Sequence, residues 1–265
     1  MPAKVRRVGI GILEDPEKVI DSAIAVSSSF EVYCYCRPGV VTKKPAERSV
    51  HIIESAQPEQ ALVDDLMSGK IDAAVRGTLP SNATLKALKI AEGVDHLERI
   101  ALLETAHGKK FLLTPVGVDE GWTVPEKLEL IKKGKIIAKK FGLPEKVGVL
   151  SGGRLGDVGR HPQVDASMAD AELIARLSDS SHCEILIEDA IETCGLIIAP
   201  DGISGNLAFR MLVFLGGGHG HGAPVVNISR IFVDTSRAAP DYTNALMLAA
   251  SLLEEKTDRK KVKTD

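Results

Sequence analysis

Long apolar runs are missing from this sequence: none approaches the ~20 residues that a membrane-spanning helix requires, so no membrane partner is expected. An excess of charge of one sign is missing too. Lys and Arg total 33 against 36 Asp and Glu, a formal net charge of -3. That balance implies no basic surface for nucleic acid. The one basic run, Arg259-Lys260-Lys261-Val262-Lys263, reads as a solvated tail rather than a nucleic-acid patch. Cysteine is scarce. Cys34, Cys36, Cys183 and Cys194 form no CxxC pair and lack the spacing of a metal site. They read as reduced core thiols of a reducing compartment. No signal-peptide pattern appears, since Lys4, Arg6 and Arg7 lead straight into a short strand. A cytoplasmic protein is therefore expected. Two nucleotide motifs are also absent. The loop after Leu150 lacks the Gly-Lys-Ser/Thr ending of a Walker loop, and its glycines do not match the GxGxxG fingerprint.

What is there is an ordinary globular composition, 44% apolar and 26% charged, over 265 residues. That length allows one large or two modest domains. Short apolar runs predict strands at Val5–Ile12, Glu31–Cys36, Val50–Ile53, Ile71–Val75, Lys146–Leu150, Leu196–Ala199, Val225–Ile228 and Ile231–Val233. Arg99–Leu103 and Lys110–Pro115 predict a strand pair turning at His107-Gly108, and Ile185-Leu186-Ile187 a short strand. Helical spacing marks Pro16–Ser27, Pro58–Met67, Pro125–Phe141, Met168–Leu177, Asn206–Leu215 and Pro240–Glu255. Asp15 is the expected N-cap of the first. Strands alternating with amphipathic helices predict an α/β fold, a mostly parallel sheet covered on both faces. Ligands in such folds bind beyond the carboxyl ends of the strands.

Five constellations stand at such ends. Arg76-Gly77-Thr78 leads through Ser81 and Asn82 into a helix carrying Lys86. Helix-start N–H groups and two cations suit an anion, though a plain capped helix reads equally well. Ser151-Gly152-Gly153-Arg154 and the following Arg160 form a glycine–arginine loop. Glycine admits close backbone approach, and arginine grips phosphate or carboxylate with two bonds; a surface loop with an internal Arg154–Asp157 pair is the alternative. Asp201 ends an apolar strand before Gly205, Asn206 and Arg210. It reads as a base or orienting acceptor, or as an acceptor for turn N–H groups. His219 and His221 lie in the glycine-rich stretch Gly216–Gly222, but two histidines in a pliant loop make no metal site, and none is expected. Finally, Asp234-Thr235-Ser236-Arg237 ends a strand, with Asp241 at the next helix start. Arg237 would stabilise developing negative charge.

Taken in order, the last three constellations resemble the phosphate acetyl/butyryl transferases. Those enzymes carry a Pro-Asp, a Gly-Asn helix start, a glycine-containing loop and a strand ending in Asp-Leu-Ser-Arg. The matching positions are Pro200-Asp201, Gly205-Asn206, Gly216–Gly222 and Asp234-Thr235-Ser236-Arg237, with Arg210 where that family has lysine. The resemblance implies catalytic roles for Ser236, Arg237 and, across a short deletion, Asp241. It also implies two three-layer α/β/α domains with an interdomain cleft, the architecture shared with isocitrate and isopropylmalate dehydrogenases. On that pattern one domain comprises residues 1–95 and 231–265, and the other 96–230. The loop 151–162 departs from the acyltransferases, which have no such arginine pair.

A closer resemblance covers about Ile71 to Leu248. The stretches "RGTLPSNATLKALK", "VGVLSGGRLGDVGRHPQVD", "LIIAPDGISGNLAFRMLVFLGGG" and "HGAPVVNISRIFVDTSRAAPDYTNAL" resemble the methanogenesis marker protein 4, or MtxX, family. That family occurs in methanogenic archaea and is described as methyltransferases or methyltransferase-associated proteins. The resemblance implies a transferase acting on an anionic small molecule, linked to methanogenesis. Alternatives are an acyl or phosphotransferase using an acyl phosphate or coenzyme A thioester, and a non-catalytic metabolite-binding or methyltransferase-associated subunit. No cofactor is assigned, although coenzyme A or a phosphate-bearing substrate would suit the loops. A homodimer is expected by analogy, and other methanogenesis methyltransferase subunits are candidate partners. Gly9-Ile10-Gly11 is too slight to serve as the first loop of an adenosylmethionine enzyme.

Overall fold

The computed structural model describes residues 5–261, with side chains through Leu253. In chain order the elements are β1 (Arg7–Gly11), α1 (Pro16–Val26), β2 (Glu31–Cys36), β3 (Val50–Glu54), α2 (Pro58–Ser68), β4 (Ala73–Val75) and α3 (Ser81–Glu92). Then follow β5 (Ala101–Glu104), β6 (Lys110–Thr114), α4 (Val124–Lys140), β7 (Val147–Val149), α5 (Pro162–Ser178), β8 (Ser181–His182), α6 (Ile187–Thr193), β9 (Leu196–Ile198) and α7 (Gly202–Arg210). The chain closes with β10 (His219–Pro224), β11 (Phe232–Asp234) and α8 (Thr243–Lys261). A 3-10 turn at Leu155–Asp157 precedes α5, and a π-helical turn at Met211–Leu215 extends α7. No helix among the described residues is long and apolar enough to cross a membrane. Lys4 and the side chains of the basic run 259–263 lie outside what is described, and with them the expected tail.

Two compact units divide the chain: Met1–Leu97 with His221–Asp265, and Glu98–Gly220. In the first unit the strand order is β3-β2-β1-β4-β11, all parallel, and β10 joins β11 antiparallel through Ala223↔Asp234. Ile10 of β1 faces Cys34 on one side and Val75 on the other. α2 packs on α3 and α1 on α8. Tyr35, Leu62, Leu66, Ile71, Leu88 and Phe232 form one fully buried cluster. Burying each such side chain contributes about 1.5–3 kcal/mol.

The second unit orders its strands β5-β6-β9-β7-β8. β5 and β6 form the expected antiparallel hairpin, from Ala101↔Leu113 to Glu104↔Lys110. β6, β9, β7 and β8 run parallel. α4 begins with a capping box. Thr123 Oγ1 accepts from Glu126 N at 3.4 Å, and Glu126 Oε2 accepts from Thr123 N at 3.3 Å.

Several local expectations give way. Asp15 occupies the expected N-cap position of α1 but makes no side-chain cap: its backbone is left-handed (φ 48°, ψ 56°), and its carboxylate turns to Lys18 Nζ at 3.3 Å. α5 begins at Pro162, earlier than Met168, because His161 Nδ1 accepts from Gln163 N at 3.2 Å. Ile185–Ile187 is not a strand; Ile187 opens α6, and the polar pair Ser181–His182 is the strand instead. Of Val225–Ile228 only Val225 pairs, donating to Phe232 O at 2.9 Å. Beyond it Glu92 bends the chain, accepting from Ser229 N and Arg230 N at 2.9 and 3.0 Å. The helix expected from Pro240 starts at Thr243, whose N–H donates to Asp241 Oδ1 at 3.0 Å. The stretch Gly216–Gly222, expected as a pliant loop, passes into β10. Its glycines permit close packing: a Cβ on Gly218 would meet Leu212 at 2.8 Å, and one on Gly220 would meet Phe209 at 3.2 Å.

Candidate functional site

In the first unit the carboxyl ends of β1, β4 and β11 lie together, because the three strands are parallel neighbours. Arg76, directly after β4, turns inward. It is 5% exposed and donates through Nε to Asp234 Oδ1 at 2.5 Å and through Nη1 to Leu79 O at 2.7 Å. Its Nη2 donates to Thr235 O. Gly77 and Thr78 face the turn after β1. Gly77 has φ 62°, and a Cβ there would lie 2.1 Å from Gly11 O. Only glycine fits both constraints. Buried Thr78 accepts from Leu13 N at 2.8 Å and donates to Glu14 O at 3.0 Å. These three residues brace strand ends to one another.

That bracing extends to the segment after β11. Thr235 Oγ1 donates to Gly77 O at 3.1 Å, and Thr235 N to Asp234 Oδ1 at 2.9 Å. Tyr242, buried against Ser22, donates its hydroxyl to Ser236 O and Arg237 O at 3.1 and 3.3 Å. Burial pushes that phenol's ionisation well upward, so it stays a donor. Lys18 Nζ adds a third bond, to Arg237 O at 3.2 Å. The backbone of Ser236-Arg237 is therefore fixed, while the Arg237 side chain is 51% exposed. It meets Glu14 Oε1 at 3.9 Å, beyond hydrogen-bond length. Ser236 Oγ accepts from Ala238 N at 3.3 Å. Exposed Asp241 commits one oxygen to Thr243 N. Half-buried Ser81 and exposed Asn82 open α3, with exposed Lys86 one turn on. The preceding Pro80 supplies no side-chain cap to the first N–H groups.

In the second unit Asp201 caps α7. Its Oδ1 accepts from Ser204 N at 2.8 Å and from Ser204 Oγ at 3.1 Å. Gly205 packs on the backbone after β6, where a Cβ would lie 1.9 Å from Pro115 O. Asn206 Nδ2 donates to Val116 O at 2.8 Å. Exposed Arg210 lies over the Phe214 ring at 5.3 Å. The glycine–arginine loop is internally bonded in a different pattern from the expected pair. Asp157 accepts from the backbone of Arg154 at 2.9 Å and from Arg160 Nη1 at 2.6 Å. The Arg154 N–H and then Arg160 hold its carboxyl below the usual range. Arg154 and Arg160 are both exposed, Gly152 is exposed, and Ser151 and Gly153 are buried.

The sequence gives no local signal for three further polar groups. Lys127 on α4 is 5% exposed, with Asp170 Oδ2 at 3.9 Å. Burial lowers its pKa against the opposing pull of Asp170 and Asp201. Glu120 is 2% exposed, and burial raises its pKa although Arg99 Nε lies 2.5 Å away. His182 joins Ser151 to Glu172. Each depends on partners remote in sequence, so no motif marks them. Among the described residues no group of three or more His, Cys, Asp or Glu is placed to hold a metal ion. All four cysteines are free; Cys34, Cys36 and Cys194 are buried and Cys183 partly so. Burial pushes the thiols of Cys34, Cys36 and Cys183 upward.

No family model matches the chain. It is similar to the "putative methyltransferase mtx subunit X" of Methanosarcina mazei, 43% identical over 265 residues, covering 97% of this chain and 93% of that protein. The protein of the same name from Methanosarcina barkeri is 42% identical over 265 residues, covering 97% and 96%. Among solved structures, a branched-chain phosphotransacylase from Enterococcus faecalis superposes with a TM-score of 0.71 at 16% identity, covering 94% of this chain and 99% of that one. At that identity the likeness speaks for the fold alone.

Proposed function

The chain belongs to the family of the "putative methyltransferase mtx subunit X", and from that premise we propose that it is a cytoplasmic transferase of methanogenesis acting on an anionic small molecule. The observation that carries this is Arg237. Arg76, Tyr242 and Lys18 hydrogen-bond the carbonyls of Thr235, Ser236 and Arg237, while the Arg237 side chain is half exposed with Glu14 Oε1 at 3.9 Å. A fixed backbone lowers the cost of placing that charge when an anion arrives. Ser236, the α3 start at Ser81 and Asn82, and Lys86 belong to the same unit and would add donors. Arg154 and Arg160 give the second unit its own exposed cations. Asp241, with one oxygen committed to Thr243, would accept or orient a proton.

The transferred group is methyl on the strength of the relatives' name. A second reading, acyl transfer from an acyl phosphate or coenzyme A thioester, rests on the resemblance of Pro200-Asp201, Gly205-Asn206 and Asp234-Thr235-Ser236-Arg237 to the phosphate acetyl/butyryl transferases. Calorimetry with phosphate and with coenzyme A tests the shared claim. Arg237→Ala should weaken binding about tenfold or more, the worth of a charged hydrogen bond. Unchanged affinity would sink it. Turnover of a methyl donor or of an acyl phosphate then separates the readings, and binding without either turnover leaves a metabolite-binding subunit.

The relatives' name also says "subunit". Ile203, Leu207, Met211 and Leu215 recur every fourth residue along α7 and its π-helical extension and are 47%, 59%, 58% and 76% exposed. Such a stripe is a candidate contact for a second copy of the chain, with another methyltransferase subunit as the alternative occupant.

A further inference from the structure

Ser151, His182 and Glu172 come from three separate places and form one hydrogen-bonded chain. Ser151 lies just past β7, His182 ends β8 and Glu172 sits on α5. His182 Nε2 is 2.9 Å from Ser151 Oγ, and its Nδ1 is 3.0 Å from Glu172 Oε1. Ser151 Oγ also reaches Gly153 O at 2.9 Å. Serine, histidine and carboxylate in this order are the parts of an activated nucleophile. Two features speak against that use. Ser151 is 1% exposed, and its hydroxyl already has a carbonyl acceptor in the loop it begins.

The geometry gives a different role. Nδ1 of the imidazole faces Glu172 on α5, Nε2 faces Ser151 Oγ, and Ser151 Oγ faces Gly153 O, so one ring ties the start of the loop to the helix that follows it.

We infer that Glu172, His182 and Ser151 are positioning residues that clamp the loop 152–160 in its anion-binding form. The inference rests on the reading that Arg154 and Arg160 meet an anion. Glu184 strengthens the clamp from the turn after β8. Its carbonyl accepts from Ser151 N at 2.7 Å, and its Oε1 accepts from Leu155 N at 2.8 Å. Asp165 of α5 holds the far end, accepting from Gly159 N at 2.9 Å. Of the charged residues of α5, Asp165, Asp170, Glu172 and Arg176, Glu172 is the one bonded to the imidazole.

The test measures amide exchange of residues 152–160 and sulfate binding in the full chain. His182→Ala should exchange the loop amides about tenfold faster and bind sulfate about tenfold more weakly, as the bond to Ser151 is lost. His182→Gln, whose amide can donate to Ser151 Oγ, should recover part of the protection. Glu172→Gln, at a half-exposed position, should loosen the loop less than His182→Ala while leaving the fold intact. Equal exchange and equal affinity in His182→Ala and wild type would overturn the clamp. So would capture of Ser151 by a fluorophosphonate, which would make it a nucleophile. Loop exchange that follows His182 in a protein binding no sulfate would uphold the clamp and remove the anion reading instead.

Discussion

Arg76 and Arg237 follow strand ends in much the same way, and their surroundings set them to opposite tasks. Arg76 is 5% exposed and reaches Asp234, Leu79 O and Thr235 O. Arg237 is 51% exposed, and it is the backbone there that is gripped. Local sequence could not separate the two, because each follows a β-branched run and precedes a helix start. Arg76→Met should cost about 3–5 kcal/mol in urea unfolding, since it breaks a buried ion pair by removing one partner. Replacing both, as Arg76→Met with Asp234→Leu, should recover most of that loss. Arg237→Ala should stay within about 0.5 kcal/mol, the usual range for an exposed position. A large loss at Arg237 with none at Arg76 would reverse the assignment.

At the scale of elements, α7 shows how a motif can look like a site and serve packing. Asp201 caps it, Gly205 lets its first turn touch Pro115 O, and Asn206 ties it to Val116 O. Helix propensity alone says that Gly205→Ala should stabilise by about 1 kcal/mol. The 1.9 Å approach of a Cβ to a backbone carbonyl says the reverse. A net loss of about 1–3 kcal/mol by thermal unfolding is the expected outcome, because backbone cannot yield as a side chain can. The strands β2, β9 and β11 were legible from short apolar runs. β8 and α6 were not, since Ser181–His182 carries no apolar alternation and takes its strand form from pairing beside Gly148 and Val149.

For the molecule as a whole, the exposed stripe of α7 leads to a prediction about mass in solution. Wild type should sediment at twice the 28.3 kDa chain mass, and Leu207→Glu with Met211→Glu should sediment at the chain mass with its fold intact. A wild-type monomer would end the second-copy reading and leave a different subunit as the occupant. By itself the sequence determined the α/β class and the family, because hydrophobic period and long unbroken motifs are carried by neighbours along the chain. It also pointed to the strand ends where chemistry would gather. Only the tertiary structure decided which polar residues at those ends are spent on internal bonds and which stay exposed. Arg76, Asp201 and Asn206 spend their hydrogen bonds inside the protein, while Arg237 and Arg154 face water. The Ser151–His182–Glu172 chain likewise exists only after folding, since its members stand up to 31 positions apart. Burial and hydrogen-bond partners are set by distant segments arriving at one place, and no local pattern records that.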